Sequence, residues 1–412
     1  MPTPAPSPAA ASSLEARARA RLADVLPLPG HGATLARWRA LAAIGGQDLA
    51  LAKVLEAHHD AVAILAQLEA PPPPAGTLLA VWAAEGPDST VVVREGPGGP
   101  RMTGRKPWCS GARFVDAALL TAGEGQARQL VLVALRQPGV RVPPSDWEAV
   151  GMAKIESGPV EFEAVPCRRI GAPGAYLDRP GFWHGGAGVA ACWLGAAIAI
   201  AQRMADPARV ERDPHLAAGL GRADMALAAA SALLRELAAR VDAAPGEPHV
   251  REVVRLRSVV ERACHEVLDA AARGMGPGPL CRDREHALDV AAQHVRLDRR
   301  GGEARAQLAH GSAARAGDVR DGHGVLGLVV QRHGEAHAHI APGGVDRERH
   351  GGLDGDLRGI DLGERLVRGE DHPAARDADR LGRVDLHATQ PRPLHEAQRA
   401  ETRADHGEDH QH

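Results

Sequence analysis

Lysine is almost absent from this 412-residue chain: Lys53, Lys106 and Lys154 are the only ones, and the rest of its 49 basic residues are arginine. Aromatic residues are nearly as scarce, with six Trp, three Phe and one Tyr, so the apolar content rests on Ala, Val and Leu. That bias towards Ala, Arg and Gly points to a GC-rich coding sequence rather than to a function. Charge of either sign is not in excess, and a net charge of −3 gives no electrostatic case for a nucleic-acid partner. The five cysteines (Cys109, Cys167, Cys192, Cys264, Cys281) form no CxxC pair and are odd in number. They have no metal-ligand spacing and fit a reducing cytoplasm better than a disulfide framework, so a cytoplasmic location is expected. No run is long enough for a comfortable bilayer span, so the most apolar one, Ala187 to Ala201, reads as a buried helix. The Pro- and Ala-rich first 13 residues lack a basic segment followed by an apolar one and read as a disordered leader, not a signal peptide.

Helical spacing comes first along the chain. Ser13 to Val25, Gly32 to Ile44 and Asp48 to Leu68 carry it, the last with Asp48 as a cap and Leu51, Val54, Leu55, Ile64 and Leu65 on one stripe. Within that helix the adjacent His58 and His59 point about 100° apart and cannot pair on one metal; ordinary polar positions are expected of them. Pro71 to Pro74 end the helical region, because four prolines supply no N–H and clash with a helix. From Thr77 to Ile170 the pattern turns to short runs rich in Val, Leu and Thr, spaced as an antiparallel barrel or sandwich. Long helices are expected again at Phe182 to Met204, Leu216 to Val241 and Val250 to Arg273, separated by prolines.

One stretch joins this organisation to chemistry: Gly104-Arg105-Lys106-Pro107-Trp108-Cys109-Ser110-Gly111. A tryptophan two residues before a hydroxyl offers a flat π-face beside a donor, which suits a flavin ring; a tryptophan in a strand also serves as core or sheet surface. The stretch resembles the G-x-K-x-W-I-T/S-N/G element of the acyl-CoA dehydrogenase family. The run Asp146 to Pro166, DWEAVGMAKIESGPVEFEAVP, is similar to that family's G-M-x-x-x-x-S-x-x-V-x-F-x-x-V-x-V-P strand pair. The resemblance is collinear from about Leu49 to about Ala291, and Gly274 to Asp283 stand where the family has a glycine-rich turn followed by L-x-R-D.

The resemblance implies an α+β multidomain protein. N-terminal helices (14–70) would precede a middle antiparallel β-domain (75–175), an incomplete C-terminal helical bundle (178–292) and a tail (293–412). It also implies FAD, an acyl thioester oxidised between its α and β carbons, an electron-transfer partner and a homo-oligomer. Trp108 would wall the flavin, Ser110 would donate near its N5, and Glu85 stands about where the family's T-E-P-x-x-G-S-D loop touches flavin and substrate. The family's glutamate base has no counterpart at Asp178 to Gly181; at its second place Glu285 lies about a turn early, beside His286. For Glu285 a solvated helix face is the competing account. His184, before Gly185-Gly186-Ala187-Gly188, is a further candidate for substrate contact, while those glycines serve either a phosphate or close helix packing. The family's glutamine before the glycine turn and its R-x-Q-F-G element are missing, Ala271 and Ala272 standing near the first. Two alternatives follow: a flavin-dependent monooxygenase of the same fold, which needs no glutamate base, and a non-catalytic scaffold without flavin.

Beyond about Gln293 the character changes: 13 of the 21 histidines lie there, no Trp, Phe or Tyr does, and helical periodicity fades. An out-of-frame continuation accounts for this best, ahead of a disordered polar tail or a His-rich metal-binding one, since the histidines are scattered and only His337/His339 and His410/His412 form HxH pairs.

Overall fold

The computed structural model describes residues 13–86, 88–123 and 128–294. The leader, apart from Ser13, and the tail after His294 with its out-of-frame reading lie outside the described residues. Helix α1 (Leu14–Arg19) is capped by the Ser13 hydroxyl, and α2 (Thr34–Gln47) runs into Asp48. That carboxylate accepts the Ala50 and Leu51 N–H groups at 2.7 and 3.2 Å and so starts α3 (Leu49–Gln67), as its sequence position predicts.

Eight strands follow: β1 (Leu79–Trp82), β2 (Val92–Gly96), β3 (Gly99–Ser110), β4 (Ala117–Ala122), β5 (Gln129–Ala134), β6 (Val140–Arg141), β7 (Ser157–Pro166) and β8 (Arg168–Ile170). They form two four-stranded sheets, ordered β1-β4-β5-β8 and β2-β3-β7-β6. The expected all-antiparallel arrangement needs one correction: β1 and β4 pair in parallel, Leu79 opposite Ala117. A parallel pair needs a crossover, and here the β2–β3 hairpin of the second sheet supplies it.

Helices α4 (Ala175–Asp178), α5 (Gly181–Met204), α6 (Pro207–Arg212), α7 (Pro214–Ala243), α8 (Val250–Met275) and α9 (Pro277–Arg282) follow, and residues 284–294 form α10. Pro207 and Pro214, two of the prolines that separate the long helices, also open α6 and α7, where the missing proline N–H would have been unpaired anyway. Helix α5 is the centre of the helical part and touches α2, α3, α7 and α8. Helices α5 and α7 are both long and apolar enough to cross a membrane; 83% of the most apolar window of α5 is buried inside the protein, against 39% for α7.

Trp38 lies in the α2–α5 layer, Trp193 packs on the other side against Arg257 of α8, and glycine lets the α2 and α5 backbones touch. A Cβ on Gly45 would overlap the Cys192 carbonyl, and one on Gly195 would overlap that of Ala42. Of the glycines once open to a phosphate role, Gly188 abuts Leu41 and Trp38, and Gly185 abuts the Asp60 carboxylate, so close packing accounts for both. Helix α10 is seated equally tightly, with Ala292 against Gly151 and the Gln293 amide donating to the Trp193 carbonyl at 3.2 Å.

His58 and His59 are not the ordinary polar positions expected of them, for both are buried, His58 where α3 meets β1. His58 Nδ1 accepts the Leu79 N–H at 3.2 Å, tying helix to sheet. Burial pulls its pKa from 6.5 down to about 4. The unfolded chain therefore takes up a proton below pH 6.5 that the folded one refuses until about pH 4, so stability falls as the pH drops through that window. The expected loss by pH 4 is about 3 kcal/mol. Urea unfolding of the wild type and His58→Gln at pH 7 and pH 4 should show the variant losing less, and equal losses would remove His58 as the cause.

Candidate functional site

Strand β3 carries the site, and a fault in its ladder builds it. Its register against β7 shifts between Lys106 and Cys109, where Pro107 cannot donate a ladder bond. Trp108 takes a left-handed φ of 56° there, an outlier for a bulky residue. In a regular strand Lys106 and Trp108 would share a face. The bulge separates them: Lys106 is 0% exposed and the Trp108 side is 43% exposed.

Against the indole runs the Glu85–Gly86 segment, close enough that a Cβ on Gly86 would touch both the Trp108 ring and Pro107. Glu85 in turn is held from inside. Lys106 Nζ donates to Glu85 Oε1 at 2.7 Å and to the Thr121 carbonyl and Oγ1 at 3.0 Å each. Thr121 Oγ1 donates to the same Glu85 oxygen at 2.5 Å, and Arg128 stands 3.4 Å from it. Burial pushes the Glu85 carboxyl up, yet hydrogen bonds from Lys106, Ser89 and Thr121 outweigh it and hold the pKa below the usual carboxylate value. Burial, partly offset by Glu85, pulls that of Lys106 down.

Ser110, two residues past the indole, is fixed on three sides. Its Oγ lies 2.8 Å from Ser157 Oγ on β7, its carbonyl accepts the Trp82 indole N–H at 3.1 Å, and the next N–H, of Gly111, donates to Ile155 at 2.9 Å. Behind it a recess of about 10 Å³ is lined by Lys53, Val54, Trp82 and Ile155. That is below the size of a small-molecule site.

The other residues singled out in the sequence stand elsewhere. Glu285 is exposed in the first turn of α10, whereas its neighbour His286 is buried with Nδ1 unpartnered. His184 is buried in the first turn of α5, its Nε2 2.9 Å from the Glu247 carbonyl and its ring beside His249. Its ring thus faces the α7–α8 connection, and no described contact joins it to Trp108 or Ser110. Two carboxyls that were not foreseen are raised by desolvation: Asp60 on α3, and Asp289 on α10, which reaches about 6 against the Arg203 guanidinium 3.3 Å away. Among the described residues no group of three or more His, Cys, Asp or Glu could hold a metal.

Lys106, Thr121 and Ser157 are the site residues that reading the sequence missed. Lys106 did carry a signal, as one of three lysines placed on a strand beside a proline.

No protein-family model and no curated protein matches the chain. Solved structures do. Butyryl-CoA dehydrogenase from Megasphaera elsdenii superposes with a TM-score of 0.57 at 15% identity, over 67% of this chain and 80% of that one. Dibenzothiophene monooxygenase TdsC from Paenibacillus sp. A11-2 gives 0.54 at 21% identity, over 63% of this chain and 77% of that one. PigA, solved with FAD and proline, gives 0.56 at 14% identity, over 77% of this chain and 100% of that one. The chain has the fold of the acyl-CoA dehydrogenase-type flavoproteins.

Proposed function

We propose that this chain is a flavin-dependent oxidoreductase whose flavin ring lies against Trp108 with Ser110 at its edge. The carrying observation is Trp108 itself, an exposed indole held in a left-handed backbone conformation beside a paired hydroxyl. Strain of that kind costs about 1–3 kcal/mol and persists where its surroundings enforce it, typically at a ligand site. Bound flavin would supply the two-electron chemistry. The chain's part is to stack the ring on the indole, to offer the Ser110 hydroxyl to a ring acceptor and to keep that hydroxyl oriented through Ser157.

Of the two chemistries that this fold carries, oxygen activation by reduced flavin is favoured by where the carboxylates stand. Hydrogen bonds from Lys106 and Thr121 hold the Glu85 pKa down despite its burial, and Glu285 is open to solvent, so neither is suited to act as a base. Oxidation of an acyl thioester is the second reading, favoured by Asp289 with its pKa near 6. FAD follows from the resemblance. FMN, bound by TdsC, is a further arm of the test because the glutamine and arginine elements that hold the rest of FAD are missing.

The test is the visible spectrum of the full chain with FAD or FMN, taken anaerobically with an acyl-CoA and then with an external reductant followed by oxygen. Bleaching by the acyl-CoA supports the dehydrogenase, and oxygen consumption only after external reduction supports the monooxygenase. A protein that stays colourless with either flavin is a scaffold, and the proposal falls. Trp108→Ala should weaken flavin binding roughly tenfold by removing about 1–1.5 kcal/mol of stacking, read by fluorescence titration; unchanged affinity would place the ring elsewhere.

A further inference from the structure

We infer that Lys106 is a positioning residue: through Glu85 and Gly86 it sets the angle at which the Trp108 indole is presented, which matters for function only on the reading of Trp108 as the flavin wall. Lys106 is fully buried, and all three of its ammonium donors are used, one on Glu85 and two on Thr121. A lone lysine in that place would be strongly disfavoured, and an apolar residue of similar length would fill the space without the charge. What the charge adds is a fixed location for Glu85. The residue after Glu85, Gly86, lies against the indole, a Cβ there standing 3.5 Å from Trp108 Cη2. Lys106 also stands at the first residue of the bulge that turns Trp108 outward. The clamp therefore holds the tryptophan at both ends, by its strand and by the segment against its ring. Thr121 locks the pair by accepting from one partner and donating to the other.

The experiment uses the full chain labelled with 5-fluorotryptophan, the Trp108 resonance being assigned as the one of six that Trp108→Phe removes. In Lys106→Met the Trp108 resonance should shift and broaden while the other five hold their positions. FMN affinity should fall about three- to tenfold, no more than in Trp108→Ala, whereas in a Trp108→Ala background the same substitution should change it less than twofold. Thr121→Val keeps both charges and loosens the lock, so it should move the same resonance by less, and it carries the test if Lys106→Met does not fold. An unmoved Trp108 resonance in whichever variant folds would overturn the inference, as would an equal loss of FMN binding with and without Trp108. A moving resonance in a protein that binds no flavin would sustain the positioning role and sink the flavin reading.

Discussion

Glu85→Ala should lower folding stability by about 3–5 kcal/mol, the cost of leaving a buried charge without its partner. Lys106 is 0% exposed, so its ammonium cannot turn to water when the carboxylate goes. The Thr121 carbonyl and hydroxyl would remain as acceptors, but they carry no countercharge. Arg128, now 3.4 Å from the carboxylate, would be left facing a second cation. The double variant Glu85→Leu/Lys106→Met should recover most of the loss, because an apolar pair of similar volume carries no desolvation penalty. Urea unfolding of the three proteins at pH 7 measures this. A single-variant loss below about 1 kcal/mol, the range of exposed pairs, would mean that the pair is solvated.

Gly195→Ala should cost about 3 kcal/mol or more, at the upper end of overpacking penalties. The new methyl would meet the Ala42 carbonyl oxygen on α2, and backbone, unlike a side chain, has no rotamer to swing away. The reciprocal contact, Gly45 against the Cys192 carbonyl, lies in the same crossing, so the helices would have to separate along a shared line. Gly221→Ala supplies the contrast: on α7 no atom lies within 4 Å of its would-be Cβ. There the same substitution should stabilise by up to about 1 kcal/mol through helix propensity. Thermal melts of both variants should therefore move in opposite directions, and a common direction would put the crossing in error.

Much of the helical part was legible because its signals are local. Asp48 caps α3 where its side chain can reach the first free N–H groups, and Pro71 to Pro74 stop helix wherever they occur. Strands β1, β4 and β5 were legible through β-branched and leucine-rich runs, whereas β6 and β8, two and three residues long, carry too little pattern to register. His58 was misread because helical spacing reports which residues share a face, not what that face meets. The parallel pairing of β1 with β4 escaped for a related reason: strand direction depends on where the chain crosses, and spacing along the sequence is silent on it.

By itself the sequence determined the order of helices and strands, the tryptophan and hydroxyl two residues apart on one strand, and the resemblance that joins them to flavin chemistry. These depend on residue type and short spacing, which backbone sterics translate directly into local geometry. Only the tertiary structure decided that Lys106 turns in while Trp108 turns out, that Glu85 is bound by a buried ammonium, and that Ser110 leans on Ser157 from another strand. A bulge, a buried ion pair and a cross-strand contact arise between segments tens of residues apart, and their energies exist only once packing has removed the water between them.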